Sequence, residues 1–321
     1  MVLLGIGAAS LEGRQIFAST PLDRPLLLFI GWILLTVPFA TDPAYSFAEW
    51  RKLVTKVLSF YWAFRVLEMQ PDRTIRSRVL TAVQIGSGLL SVYAIAEFTL
   101  RGGSLMDRDV RAGAPYSDYN WLSTYMVMAI PVLLLLSLTM RIWWQRIVSA
   151  GVVGLAFLAE ILSYTRAGWL GLVAEGLAFG WLTGRRRIAA WVLGGCVLVA
   201  AALLAASQLG YQRSTVDPGT FNARLVVWKL QLGESLAHPL VGVGYGGNTF
   251  MMRFPDHPGA KDADGPHSTF MLVAMGSGIP ALVFLVWILA AAVRKLARSA
   301  REVSDRSVSA LLLAVAVMII G

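Results

Sequence analysis

The chain contains one cysteine, Cys196, and three histidines in 321 residues. A single cysteine excludes an internal disulfide and any cysteine-based metal cluster. His238 and His257 lack the spacing of a metal-binding pair, so no zinc site is expected. Charge is also scarce, at 15% of residues, and acidic groups are the scarcer sign: 19 against 28 lysines and arginines, a net +9. On a soluble surface that balance would suit nucleic acid. Here most basic residues fall in short breaks between apolar runs, where positive charge orients membrane proteins. Nucleic acid is therefore discounted as a partner.

What the chain has in abundance is apolar surface. It is 56% hydrophobic, with a mean hydropathy of +0.63, far more than a water-soluble core of this size requires. The expected fold is all-α, a polytopic integral membrane helical bundle. A helix needs about 20 apolar residues to cross a bilayer. Eight spans are read near residues 25–40, 53–69, 79–99, 119–140, 147–164, 167–183, 188–209 and 268–293. Residues 308–321 begin another apolar helix, and the first ten residues resemble the tail of one, so the chain is expected to be a fragment or an unusually short member of its class. Three regions follow: a transmembrane bundle over 1–209, an extramembrane loop region over 210–267, and C-terminal transmembrane helices over 268–321.

Alternate breaks carry Arg73, Arg76 and Arg78; Arg141 and Arg146; Arg185, Arg186 and Arg187; and Arg294, Lys295, Arg298, Arg301 and Arg306. The positive-inside rule makes these loops cytoplasmic. The opposite face then holds residues 41–52, 100–118, the tight turn Thr165–Ala167 and the long segment 210–267. Arg101, Arg108, Arg111, Arg166, Arg213, Arg224, Arg253 and His267 all fall on that outer side, where the orientation signal would tend to remove positive charge. An anionic ligand supplies a reason for keeping it.

Arg166 stands alone between two spans in Ser163, Tyr164, Thr165, Arg166, Ala167, Gly168, Trp169. It is either an interfacial anchor or a grip on phosphate, for which a planar fork of donors suits paired oxygens. Farther along, Asn222 is an expected N-cap, and Leu225, Trp228, Leu232 and Leu236 recur as in an amphipathic helix lying on a membrane surface. Arg224 falls in the first turn of that helix, where the dipole does not favour a cation, so it is either a solvated surface charge or an anion-facing group. Residues Pro239 to Asn248 form a glycine-rich turn whose backbone could approach a sugar or phosphate closely, with Tyr245 and Asn248 as substrate-binding candidates. His267 opens the last long apolar run. With an unperturbed pKa of about 6.5 its imidazole is mostly neutral at pH 7, able to take a proton from a hydroxyl or simply to bond a loop carbonyl. Glu160 and Glu175 lie inside spans flanking Arg166, where balancing it or supporting packing is expected over a proton path.

These residues carry a resemblance. Ser163 to Trp169, then Asn222, Ala223 and Arg224 with Trp228, then Pro239 to Asn248, then His267 and Ser268 followed by Gly278, resemble the O-antigen ligase and polymerase superfamily of bacterial envelope glycosyltransferases. The likeness includes Arg111 to Asn120 and covers roughly residues 100–290. Two departures are visible: Ala281 stands where the family has Gly, Thr or Tyr, and the spans are fewer than members commonly have. The resemblance implies an enzyme of the bacterial inner membrane with a periplasmic active site, the 210–267 segment being its periplasmic loop. Its donor would be a glycan on undecaprenyl diphosphate and its acceptor lipid A core, with membrane lipids as further partners and neither metal nor nucleotide. It also implies Arg166 and Arg224 on the diphosphate, His267 as the general base of an inverting transfer, and Arg111 and Asn120 as substrate-binding residues. Alternatives are an O-antigen or exopolysaccharide polymerase, a protein O-oligosaccharyltransferase, and a transporter of lipid-linked sugars. A transporter would place charges and broken helices near the midplane in repeated halves, and no internal repeat is found.

Overall fold

The computed structural model describes residues 20–69, 73–103, 110–113, 115, 119–140, 142–182, 218–256 and 268–302. Among these the chain is all-helical: α1 (Asp23–Thr36), a 3-10 turn (Val37–Phe39), α2 (Pro43–Met69), α3 (Arg73–Leu100), α4 (Tyr119–Thr139), α5 (Trp143–Ser163), α6 (Arg166–Leu182), α7 (Pro218–Ala237), α8 (Thr249–Arg253) and α9 (Thr269–Glu302). Arg78–Leu100, Trp143–Ser163 and Thr269–Arg298 are long and apolar enough to cross a membrane, and Tyr119–Leu134 and Ala167–Leu177 are shorter apolar helices. The fold class is thus the expected all-α membrane bundle. The expected span over 188–209 lies outside the described residues.

Two local expectations change. The 41–52 segment, expected as an outer loop, is helical from Pro43, because Asp42 Oδ1 accepts the Tyr45 amide at 2.9 Å and proline is tolerated in a first turn. Asn222 is not a cap: α7 begins four residues earlier, at Pro218, which leaves Asn222 and Arg224 inside the helix.

The chain divides into two compact units, one made of residues 1–71 and 216–292, the other of 72–215 and 293–321. In the second unit α5 packs on α3 and α4. Its buried face is Ser149, Val153, Ala156, Ala159, Glu160, Leu162 and Ser163, while Ile147, Val148, Leu158 and Ile161 are exposed. Small and polar residues inside with large apolar ones outside inverts the water-soluble pattern. It is what packing in lipid favours, since tails are as apolar as leucine and close backbone approach supplies the attraction. The facing helices obey the same rule. Ser87 and Ser91 are fully buried on α3; the Ser87 hydroxyl meets Tyr125 of α4 at 2.8 Å, and Ser91 Oγ donates to the Ser87 carbonyl.

In the first unit Phe29 and Ile33 of α1 form a core with Val273 and Ala281 of α9, flanked by Trp32, Trp50 and Leu53. The half-buried indoles find acceptors: Trp50 Nε1 donates to the Ile30 carbonyl at 2.9 Å, and Trp32 Nε1 to the Ser277 carbonyl at 3.0 Å. A free carbonyl at Ser277 is itself informative, because α9 is broken there.

Candidate active site

α9 breaks at Gly278, whose φ of 80° and ψ of 177° are open essentially to glycine alone. Pro280, two residues on, has no amide to give to Gly276. The break leaves the carbonyls of Met275, Gly276 and Ser277 and the amide of Ile279 without helical partners, a state that apolar surroundings penalise. The glycine-rich segment makes up the loss. Val243 N donates to Met275 O at 2.9 Å, Gly244 N to Gly276 O at 2.9 Å, and Ile279 N to Pro239 O at 2.7 Å. Residues 239–244 thus take the place of one missing helical turn, and Thr41 N, donating to Val243 O at 2.8 Å, ties the same loop to the end of α1.

This accounts for the glycines. A side chain at Gly242 would meet Met275 and Gly276, one at Gly244 would meet Ser46 and Ala40, one at Gly246 would meet the Tyr45 ring, and one at Gly278 would collide with the Leu240 carbonyl. Their bare Cα atoms serve contact of chain with chain; of the loop's four glycines only Gly247 has open space beside it. Tyr245 is largely in the core with Val273 and Ala281, and burial, aided by Glu49, pushes its phenol up to about 12. Asn248 is exposed at the start of α8, its amide bonded to Tyr45 Oη at 3.0 Å, with no capping bond from its own side chain. On α7, Glu234 Oε1 accepts Arg253 Nε at 3.2 Å, which fastens α8 to that helix.

In the second unit the turn between α5 and α6 delivers Arg166. Tyr164 takes the left-handed conformation, with φ of 52°, to end α5. Thr165 N donates to Ser163 Oγ at 3.2 Å, Thr165 Oγ1 to the Tyr119 carbonyl at 3.3 Å, and Trp169 N to Thr165 O at 3.2 Å. Arg166 is consequently the first residue of α6, where the leading amides have no intrahelical acceptor and the dipole favours an anion. Tyr119 joins a second expected residue to this turn, because the Arg111 guanidinium lies 4.2 Å above its ring. Asn120 follows Tyr119 and is exposed. Behind the turn, Ala112 N donates to the Leu162 carbonyl at 3.0 Å.

Of the residues singled out from sequence, Arg111, Asn120 and the backbone of Arg166 therefore belong to one cluster, while Tyr245 and Asn248 belong to the loop that repairs α9. The side chains of Arg166 and Arg224 lie outside the described residues, and His267 lies outside them altogether. Its neighbour Ser268 caps α9, the hydroxyl accepting Met271 N at 3.5 Å and the carbonyl accepting Leu272 N at 2.9 Å. Sequence reasoning missed Ser123, Gly168 and Trp32; a serine, a glycine or a tryptophan within an apolar run gives no signal by itself.

No curated protein matches the chain. Residues 151–286 match the family model described as O-antigen ligase, a stretch that runs from α5 through the Arg166 turn, α7 and the glycine-rich loop to the break in α9. Over that stretch the chain is similar to the O-antigen ligase family, whose members are glycosyltransferase-like enzymes.

Proposed function

We propose that the protein is an O-antigen ligase that moves a glycan from undecaprenyl diphosphate to lipid A core at the periplasmic face of the bacterial inner membrane. Arg166 and Arg224 grip the diphosphate and stabilise the charge that grows on it as the glycosidic bond breaks. His267 takes the proton of the acceptor hydroxyl, whose oxygen attacks the anomeric carbon from the face opposite the leaving diphosphate and inverts it. Arg111, Asn120, Tyr245 and Asn248 contact the substrates. The donor is already activated, so neither metal nor nucleotide takes part.

The observation that carries this reading is the match of residues 151–286 to the O-antigen ligase family model, a stretch that includes Arg166, Arg224 and His267. The backbone place of Arg166 supports it: an arginine as the first residue of a helix, whose leading amides favour an anion, suits a diphosphate. The test supplies purified protein in lipid with an undecaprenyl-diphosphate-linked glycan and lipid A core, without ATP and with a chelator. Glycosylated lipid A core is expected. Product that appears only with a divalent ion would remove the donor chemistry, and transfer to a second lipid-linked glycan in place of lipid A core would replace the ligase by a polymerase.

A further inference from the structure

A fully buried carboxylic acid sits in α5, one of the helices apolar enough to cross a membrane. Glu160 is there at the cost of removing a carboxyl group from water, and a leucine or methionine of similar volume would fill the space without it. What the carboxyl group adds is one hydrogen bond and one close contact: Oε1 accepts the Ser123 hydroxyl of α4 at 2.8 Å. The main-chain carbonyl of residue 160, which any residue would supply, accepts Ser163 Oγ at 2.7 Å and the Trp169 indole at 3.3 Å. The carboxyl group lies so close against Gly168 that a Cβ there would collide with both Glu160 Oε1 and Ser123 Oγ. Gly168 is the third residue of α6, and Arg166 is the first. Oε2 has no hydrogen-bond partner among the described residues.

The first turn of α6 is therefore held from both sides. Thr165 is tied to the Tyr119 carbonyl just before Arg166, and just after it Gly168 rests on the Glu160 carboxyl group while Trp169 bonds the main-chain carbonyl of residue 160. We infer that Glu160 is a positioning residue for Arg166, fixing through Gly168 and Ser123 the backbone that carries the guanidinium to the donor diphosphate. This rests on the proposed role of Arg166. It assigns to Glu160 work that packing alone would not need: a residue that acts only through Arg166 matters to a diphosphate and not to the lipid that bears it.

The test titrates the full chain, reconstituted in nanodiscs, with undecaprenyl diphosphate and with undecaprenol, which lacks the diphosphate. Arg166→Ala is expected to weaken diphosphate binding at least tenfold and to leave the alcohol unchanged. Glu160→Ala is expected to weaken diphosphate binding about fivefold to tenfold, again sparing the alcohol, and Glu160→Gln, which keeps an acceptor for Ser123, to restore most of it. In an Arg166→Ala background Glu160→Ala is expected to add less than twofold, because its effect runs through the guanidinium. Equal weakening of both lipids, or losses that multiply in the double variant, would overturn the positioning role while leaving the diphosphate grip intact. An Arg166→Ala protein that binds undecaprenyl diphosphate normally would overturn the grip itself, and the inference with it. Should Glu160→Ala fail to fold, Ser123→Ala removes the hydroxyl that orients the carboxyl group and is expected to give a threefold loss specific to the diphosphate; no loss there would count against the inference.

Discussion

Replacing Gly278 by alanine tests the account of the broken helix, and the structure sets the size of the effect. At φ 80° and ψ 177° a residue with a Cβ pays a backbone strain of about 1–3 kcal/mol. The added methyl also meets backbone, the Leu240 carbonyl, which cannot swing aside as a flexible side chain would. Moving residues 239–244 away to make room stretches the bonds Ile279 N to Pro239 O, Val243 N to Met275 O and Gly244 N to Gly276 O. Each such bond is worth about 1 kcal/mol net, and losing two of them on top of the strain puts the total near 3–5 kcal/mol. Gly247→Ala is the control, since nothing lies within 4 Å of a methyl there. Hydrogen exchange in nanodiscs should show Val243, Gly244 and Ile279 losing protection together in Gly278→Ala and keeping it in Gly247→Ala. If the two variants exchange alike, the loop does not repair the helix and the reasoning fails.

Four further outcomes are expected. His267→Ala should lower glycan transfer by about 100- to 10,000-fold while the protein still inserts and still binds undecaprenyl diphosphate; a rate near wild type removes the base assignment. Trp32→Phe keeps the aromatic packing but strips the donor to the Ser277 carbonyl, and should cost about 1–2 kcal/mol in a denaturant titration. Arg253→Met should loosen α8 by no more than about 1 kcal/mol, with an effect that shrinks in high salt, because the arginine is 41% exposed at its ion pair with Glu234. The Tyr245 phenol is neutral when protonated, and burial raises it to about 12 from an ordinary value near 10. The folded state therefore holds that proton more tightly, its contribution to stability is complete below about pH 10, and it is lost as pH rises toward 12. Tyr245→Phe should show a flatter loss over that window, followed by thermal unfolding.

The helices are legible in the sequence because lipid leaves a strong mark: the runs 147–164 and 268–293 hold a single charged residue between them, Glu160, and α5 and α9 lie where those runs lie. Helix starts were less legible. Pro218 rather than Asn222 begins α7, because a capping residue is only a local preference and the residues before it can extend the helix. The 41–52 segment read as loop for its polar residues, yet Asp42 and Pro43 form a helix start of their own.

The glycine-rich segment shows where sequence reading reached its limit. A run of small residues announces that something approaches the backbone, and a sugar or phosphate is the visitor expected from sequence; at Gly242, Gly244 and Gly246 it is the chain itself that approaches, at Met275, Gly276, Ser46 and Tyr45. Spacing along the chain cannot distinguish the two, because Gly242 and Met275 are brought together only by folding. The same holds for Glu160: its position inside a span is plain in the sequence, but its contact with Gly168 depends on Tyr164 reversing the chain in a left-handed turn. Both cases place the glycines in the support beneath the expected chemistry. Substitutions at Gly242, Gly244 and Gly278 should accordingly lower stability, and lower transfer only as far as they do so. By the same argument Gly168→Ala, which pushes directly on the Glu160 carboxyl group, should depress diphosphate binding more than its cost in stability accounts for.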